Sequence, residues 1–439
     1  MRKLHLLTAI LFILLNLQNL SAQNNNSMTL TIDEMFKLAS KNSKQLKLLN
    51  SDIKTSEKTT EVAQNSLLPT LGISLSASYL GNGIITDRDF TNATAASMPH
   101  FGNNFAMEAS QTIFAGGAIS NNIAKSRLGE QIARLNYDQG QMNVRFLLVG
   151  YYLDLYKLRN QRKVYIKNKE QTNLLIDQIK AKQQEGMALG NDITRHELML
   201  QNIELAIMKI DNNCKILNNQ LVTTLGLPDS VMIIPDTSIL TLDLINITQA
   251  DLMHLAEQNL PEIKTADMNI RIAETTIRIA KAEYLPSLIL VAADYLNGPI
   301  TIEIPPINNN YNYWYAGIGL KYNLSSLYTA KHGVNLAKAR QNSANDAKSV
   351  IEEKSMLAVQ SAYIKYREAF DKLHTFEKSE VLAKENYQVI NNRYINNMVL
   401  ITEMLDASNS KLDAELQVVY AKINIIFNYY NLKYLSGTL

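Results

Sequence analysis

The residue types that support catalysis occur in this chain without the spacing that catalysis needs. His196 and Glu197 begin a pattern similar to the zinc-binding His-Glu-x-x-His motif, but Leu200 stands where the second histidine is required. We therefore interpret His196 as a histidine on a helix surface. Cys214 is the single cysteine, which excludes an internal disulfide and a cluster of metal thiolates. Glycine loops that hold phosphate are also missing, and we predict no enzyme activity, no cofactor and no metal site.

Acidic residues follow the two turns that separate the longest helical patterns. Asp192 comes after the first turn, at Gly186, and Glu403 and Asp406 come after the second, at Asn397. One interpretation is capping, because the helix dipole stabilises an acid in a first turn by about 0.3–1 kcal/mol. Asp192 fits an N-cap in this interpretation. The alternative is a charged constriction, since Glu403 and Asp406 are three residues apart and share a helix face.

The first 22 residues have the pattern of a signal peptide. Two basic residues precede an apolar stretch, and a small-residue cleavage site ends at Ala22. An uncleaved anchor is the alternative. The cleaved chain would leave the cytoplasm, and no cysteine follows the site to carry a lipid. The formal net charge of +2 indicates no nucleic-acid partner.

The remaining sequence contains an internal duplication. At an offset of 217, eleven of the 34 positions in 38–71 are identical to their counterparts in 255–288, where unrelated sequence would give roughly two. Farther along, the offset becomes 211 and pairs such as Tyr152 with Tyr363 coincide. The sequence therefore predicts a first repeat at 23–227, a linker at 228–248 and a second repeat at 249–439.

Each repeat reads as a helix, two strands and two longer helices. The first helices, at about 31–67 and 249–285, end before Pro69 and Pro286, because proline cannot continue the helical hydrogen bonds. The other predicted elements are strands at 71–80, 104–114, 287–296 and 313–324 and long helices at 118–185, 192–225, 330–396 and 401–436.

In the predicted strands, apolar residues alternate with small or polar residues. This pattern is typical of strands with one apolar face and one face in contact with water. At about 10 residues they are long enough to cross a hydrocarbon layer when tilted. Tyr311, Tyr313, Trp314 and Tyr315 could belong to an interfacial aromatic girdle. Four strands cannot close a membrane barrel, because the smallest have eight. We therefore expect an obligate oligomer, with more than one copy completing the sheet.

The two turns and the chain end resemble those of the TolC-like outer-membrane efflux proteins. The resembling segments are Arg393–Ala407, Gln184–Asp192, Leu225–Pro228, Ala421–Tyr434 and the ending Leu435-Ser436-Gly437. The resemblance implies an α+β membrane protein with a homotrimeric, twelve-stranded β-barrel. Each protomer would supply four strands, and a long α-helical barrel would continue from them.

The resemblance also implies a function and its site residues. The chain would be the outer-membrane exit channel of a tripartite efflux or type I secretion system, with its helices in the periplasm. Its partners would be outer-membrane lipid, a periplasmic adaptor and an inner-membrane pump of the RND or ABC type. Asp192 and Tyr394 would form a periplasmic latch, Glu403 and Asp406 an acidic ring at the entrance, and Gly186 and Asn397 the tip turns. The family usually has glycine where this chain has Asn397.

Two alternatives stay open at this point. One is a coiled-coil scaffold that forms no channel, against which the alternating strands argue. The other is the same channel dedicated to heavy-metal or protein export. The sequence does not choose the cargo.

Overall fold

The computed structural model describes residues 26–236, 248–396 and 398–439. The predicted signal peptide at 1–22, part of the predicted linker and Asn397 lie outside these residues. The described chain is mostly helical. Among its helices, none carries an apolar stretch long enough to cross a membrane.

The described part of the first half contains four α-helices, and most of its strands lie between them. The helices are α1 (Ile32–Asn42), α2 (Lys44–Gln64), α3 (Ala118–Gln184) and α4 (Gly190–Leu225). The strands are β1 (Asn26–Leu30), β2 (Thr70–Tyr79), β3 (Gly83–Ile85), β4 (Thr94–Ala96), β5 (Phe101–Ala115) and β6 (Val231–Pro235).

The second half repeats the long elements. Its helices are α5 (Gln249–Asn259), α6 (Pro261–Ala282), α7 (Ser326–Ile395) and α8 (Ile401–Leu435), and its strands are β7 (Ser287–Gly298) and β8 (Tyr311–Lys321). The starts of α1 and α5, and those of α4 and α8, keep the two offsets of the sequence repeat. The four long strands end within three residues of their predicted ends. The strand at Val231–Pro235 lies inside the segment that the sequence treated as a linker.

Each predicted first helix is divided in two, for a different local reason. In the second repeat Pro261 begins α6, and Leu260 before it has φ −62° and ψ 121°. A residue before proline is driven out of the helical region in this way. In the first repeat the break lies at Ser43, whose Oγ accepts a hydrogen bond from the Leu46 N–H at 3.5 Å. These breaks were not predicted.

Matching caps begin and end the two repeats. Thr31 caps α1 and forms a reciprocal capping box with Glu34, and Thr248 caps α5 by accepting from the Asp251 N–H. Gly226 and Gly437 end the repeats with φ of 64° and 72°. A side chain at either glycine would collide with the asparagine that ends the repeat's first helix, Asn42 or Asn259. The Leu225-Gly226 and Leu435-Ser436-Gly437 segments are thus left-handed helix ends.

The chain forms two compact units. One comprises the described parts of Met1–Leu49, Tyr137–Pro261 and Glu352–Leu439, and the other comprises Asn50–Asn136 and Glu262–Ile351. In the first unit, β1 and β6 form a parallel pair. Tyr152, 1% exposed, donates its hydroxyl to the Leu30 carbonyl at 2.7 Å and accepts from the Asp236 N–H at 2.7 Å. This tyrosine therefore joins the ends of both strands to α3.

The second unit contains an antiparallel four-stranded sheet in the order β2-β5-β7-β8. Strands β2 and β8 are its edges. The β3–β4 pair forms a small separate hairpin between β2 and β5.

Candidate functional site

The turn between α3 and α4 is built around Gly186. Its φ is 76°, a left-handed conformation that glycine adopts without strain. The Met187 N–H donates to the Lys182 carbonyl at 2.8 Å across this turn. The same bond recurs at the equivalent place in the second repeat, where the Met398 N–H donates to the Arg393 carbonyl at 2.8 Å. The two hairpins therefore turn with the same bond, although Asn397 lies outside the described residues.

Asp192 is a capping residue, but it is not the N-cap that we predicted. The N-cap of α4 is Leu189, and Asp192 is three residues further on. Its Oδ2 accepts from the Leu189 N–H at 3.2 Å, which satisfies a donor that the helix leaves unpaired. The carboxylate thus uses the N3 half of a capping box, because leucine has no side-chain acceptor for the other half.

Tyr394 packs inside the tip of the first unit, where the α3–α4 and α7–α8 turns lie. Its ring contacts a small apolar core of Leu175, Ile179 and Met404. Burial, with a further contribution from the Asp192 carboxylate, raises the pKa of Tyr394 to about 12. The two residues are therefore close enough to interact. Among the described residues, however, no hydrogen bond joins the Tyr394 hydroxyl to Asp192.

Lys182 caps the end of α7, a role that sequence reasoning missed. Its Nζ donates to the carbonyls of Tyr394, at 3.2 Å, and of Ile395. The same Nζ lies 5.7 Å from the centroid of the Tyr394 ring. A lysine at a helix C-terminus stabilises the unpaired carbonyls and the helix dipole. The lysine belongs to α3 and not to α7, so no local pattern in the sequence indicated it.

His196 is buried, and the prediction of a surface histidine is wrong. Only 1% of the residue is exposed. Its Nδ1 lies 3.0 Å from the Asp192 carbonyl oxygen, and its ring lies 6.3 Å from that of Tyr394. Burial lowers the pKa of His196 below its usual value. The tip is therefore a small core that includes the His196 imidazole, whose burial favours its neutral form.

Glu403 and Asp406 lie on the outer side of the first turns of α8. Both are exposed, whereas Met404 and Ala407 between and after them are 0% and 1% exposed. Neither acid pairs with a cation in the described part of the protomer. Glu403 occupies the same N3 position in α8 as Asp192 does in α4. The three predicted acids thus differ in kind: Asp192 is held to the backbone, whereas Glu403 and Asp406 are unpaired in the described part of the protomer.

A layer of buried polar residues crosses the helices of this unit. Lys411 and Glu415 of α8 are each 5% exposed. Glu415 accepts from the Asn168 Nδ2 at 3.0 Å and has Lys167 and Lys384 at 4.0 Å. Lys411 donates to Gln171 and lies 4.5 Å from the Tyr387 ring centroid. Burial lowers the pKa of Lys411. In the sequence, this layer was indicated only by the spacing of Lys411 and Glu415, which are four residues apart in α8.

The two faces of the sheet in the other unit differ sharply. Residues paired across neighbouring strands share a face, and the register places Ile73, Met107, Asp294 and Trp314 side by side. Apart from Asp294 and a few other polar residues this face is apolar, and its large side chains are exposed: Leu71, Ile73, Leu75, Trp314, Ile318 and Leu320 are between 69% and 77% exposed. The opposite face of β2 and β5 carries mainly small or polar residues: Gly72, Ser74, Ser76, Ser78, Asn104 and Glu108.

The suggested aromatic girdle is not consistent with this register. Tyr313 pairs with Tyr295, and Tyr311 and Tyr315 share their face, which is the polar one. Trp314 alone lies on the apolar face. The alternation of Trp314 with its neighbours was visible in the sequence, since side chains in a strand alternate between faces.

The comparisons with known proteins agree on the fold. The family described as outer membrane efflux protein matches residues 252–438, which is the second repeat. No curated protein sequence matches the chain.

Solved outer-membrane channels match it in structure. CusC, solved for its conformational changes on folding and transmembrane channel formation, has 14% identity and a TM-score of 0.79, with 92% of each chain covered. The outer membrane protein VceC of Vibrio cholerae has 12% identity and a TM-score of 0.74, covering 92% of this chain and 96% of its own. The open-state outer membrane channel MtrE of Neisseria gonorrhoeae has 17% identity and a TM-score of 0.71, covering 93% and 89%.

These findings confirm the resemblance predicted from the turns and the chain end. The described chain has the fold of TolC-like outer-membrane channels, and its second repeat matches the family of outer membrane efflux proteins. That family is one of channels and not of enzymes.

Proposed function

We propose that this protein is the exit channel of an export system in the outer membrane, passing substrates from a periplasmic adaptor and an inner-membrane pump to the outside. The observation that carries the proposal is the sheet. One face is a bare apolar surface, the other is largely small and polar, and both edges, β2 and β8, are open. An open edge is a template for another strand, and an exposed apolar band of this kind suits lipid.

Three copies would supply twelve strands and so close the sheet without an edge. The polar faces would then line a water-filled passage and the apolar faces would meet the hydrocarbon. The long helices would continue the passage into the periplasm, where an adaptor and a pump of the RND or ABC type dock. The number three, the barrel and the partners come from the resemblance, and the open edges of the sheet support its completion by strands of other copies.

The experiment is to separate outer and inner membranes and to analyse the purified protein by native mass spectrometry and in a planar bilayer. We expect an outer-membrane trimer that conducts ions. A monomer found in the soluble fraction, with no conductance, would support the coiled-coil scaffold and would refute the channel.

Glu403 and Asp406 form the proposed acidic ring at the entrance. Three copies would supply six carboxylates to one opening, and both acids are exposed and unpaired in the described part of the protomer. Like charges about 6–8 Å apart repel by about 2–3 kcal/mol at an effective dielectric of about 20. Bound cations would relieve this repulsion, so the entrance should prefer cations and bind trivalent cations tightly.

The double variant Glu403→Ala, Asp406→Ala tests the ring. We expect it to lose trivalent-ion block from the periplasmic side and part of its cation preference, measured from reversal potentials. The wild-type preference should fade as salt rises, because the Debye length is about 10 Å at 0.1 M. Block equal to that of the wild type would place the gate elsewhere.

A further inference from the structure

The polar face of the sheet carries a group of four tyrosines, three of them exposed, that the function of a passive passage does not require. They are Tyr295 of β7 and Tyr311, Tyr313 and Tyr315 of β8, here called the tyrosine face. Tyr311, Tyr313 and Tyr315 are 55%, 37% and 46% exposed. Their neighbours on this face of β2 and β5 are mainly glycine, serine, asparagine and glutamate. Large aromatic rings in a small, polar surface indicate a contact surface rather than a core.

The rings are ordered into one layer. The centroid of Tyr313 lies 5.3 Å from that of Tyr295 and 5.2 Å from that of Tyr311, with interplanar angles of 26° in both pairs. Tyr315 lies 6.3 Å from Tyr295 at an angle of 22°. The four rings are therefore nearly parallel to their neighbours and form one continuous aromatic surface. Next along the same face is Gly317, where a side chain would meet nothing within 4 Å, so a flat, unobstructed strip adjoins the rings.

The charge at this layer is negative. The Tyr295 hydroxyl donates to the Oε1 of Glu108 at 2.6 Å, which fixes an exposed carboxylate beside the rings. Among the strand residues on this face, the one cation is Lys321. It is six residues from Tyr315, about 20 Å along the strand at about 3.4 Å per residue.

We propose that the tyrosine face is a binding site for planar aromatic cations on their way through the channel. An aromatic ring would stack on the tyrosines, its positive charge would be attracted by their π-faces, and Glu108 would supply the counter-charge. An aromatic anion would meet Glu108 unfavourably, and an aliphatic cation would gain the charge contact without the stacking. The inference rests on the proposed channel, because the polar face lies on the path of a substrate only if the sheet closes around it.

The direct test is a fluorescence anisotropy titration of the full-length protein in amphipol with ethidium, a planar aromatic monocation. We expect saturable binding to the wild type. Tyr313→Leu with Tyr315→Leu should weaken it by about tenfold or more, since each stacked or cation–π contact carries a large share of such an affinity. Glu108→Gln should weaken ethidium binding by about threefold to tenfold while leaving the weak binding of a neutral aromatic probe unchanged.

Trp314→Leu is the matched control. Trp314 is an aromatic residue between Tyr313 and Tyr315 in the same strand, but it points to the opposite face. Ethidium binding should be unchanged by this variant. Equal losses in the Trp314 and the tyrosine variants would show non-specific binding to exposed aromatic rings and would overturn the inference, as would wild-type affinity in the tyrosine double variant.

A planar bilayer separates this inference from the proposed function. A conducting wild type that ethidium blocks at a concentration about tenfold below that of tetraethylammonium supports both. A conducting wild type with equal block by the two cations refutes the site and leaves the channel standing. A protein that binds ethidium through the tyrosines but does not conduct would refute the channel, and with it the passage of the cation, while the binding surface would remain.

Discussion

The two repeats of this chain have the same order of helices and long strands, but they differ in what surrounds equivalent side chains. Tyr152 is buried and joins β1 and β6, whereas Tyr363, at the same place in the second repeat, lines a groove of about 250 Å³. Asp192 accepts from its helix N-terminus, whereas Glu403 is exposed and unpaired among the described residues. Duplication therefore conserves helix starts and turns, while the neighbours of each helix decide what its side chains do.

The sharpest contrast is between Glu204 and Glu415, which occupy equivalent positions in the two repeats. Glu204 is 38% exposed and pairs with Lys169 at 2.8 Å on the surface. Glu415 is buried with Lys411 and Asn168, and the Nζ atoms of two more exposed lysines, Lys167 and Lys384, lie 4.0 Å from its Oε1. Equivalent positions thus carry the same residue type in opposite surroundings, and substitution at the two should have very different costs.

The largest effect is expected at Glu415. Glu415→Ala should lower the free energy of unfolding by about 3–5 kcal/mol, because it leaves the buried Lys411 without its compensating charge. Glu204→Ala is the matched control and should cost less than about 1 kcal/mol. Urea unfolding in detergent, followed by circular dichroism at 222 nm, measures both.

A double exchange sharpens this first prediction. Lys411→Leu copies Leu200 of the first repeat, and combined with Glu415→Leu it removes both buried charges. Well-packed apolar residues often replace neighbouring buried charges without loss, so the double variant should recover most of the stability. A double variant no more stable than Glu415→Ala would show that the layer acts through shape and not through charge.

The second prediction concerns the tyrosine pair. Tyr152→Phe should cost about 1–3 kcal/mol, because the Leu30 carbonyl and the Asp236 N–H lose a buried partner. Tyr363→Phe should change stability by less than about 0.5 kcal/mol. Burial also raises the pKa of Tyr152 from 10.0 to about 12. The neutral form is favoured in the folded state, so stability present below pH 10 is lost as the pH rises towards 12. Equal losses in both variants would refute the contrast.

Much of this arrangement could be predicted from local sequence, and the rest could not. Strand alternation, Pro69 and Pro286 and the two constant offsets between the repeats predicted the order of elements, because each is a short-range property of the backbone. The break before Pro261 and the two faces of Tyr313 and Trp314 were also visible, and we overlooked them. Both follow from one residue's effect on its neighbour.

The tip residues were beyond prediction because their partners lie far away in the chain. Lys182 of the first repeat reaches the end of a helix in the second repeat, and His196 is buried by the packing of Tyr394 and its neighbours. Asp192 was correctly seen as a capping residue but misplaced, since the helix begins two residues before it. Whether Asp192, Tyr394, Glu403 and Asp406 gate a passage stays a prediction.

The third prediction separates the two tip acids by function. Asp192→Ala should cost about 0.5–1 kcal/mol through the lost Leu189 bond and dipole contact, and Glu403→Ala should be nearly neutral. In a bilayer, Tyr394→Phe with Asp192→Ala should make the closed channel leakier if a phenol–carboxylate contact forms the latch as copies assemble. Unchanged closed-state conductance in a folded double variant would restrict Asp192 to capping.

The smallest expected effect is a dependence on pH from His196, whose equivalent in the second repeat is the buried Ala407. Burial lowers the pKa of His196 in the folded state, and the neighbouring Asp192 opposes the shift only in part. The unfolded chain binds a proton near pH 6.5, so stability present above that pH falls as the pH drops towards the lowered pKa of the folded state, by at most about 1.4 kcal/mol per pH unit.

His196→Ala copies the second repeat and should be less stable at pH 7.5, because the Asp192 carbonyl loses its partner and a cavity opens. The difference in unfolding free energy between wild type and variant should then shrink between pH 7.5 and 5.5. A constant difference for His196→Ala would mean that the imidazole takes up its proton without opening the tip, and that the two repeats respond to acid alike.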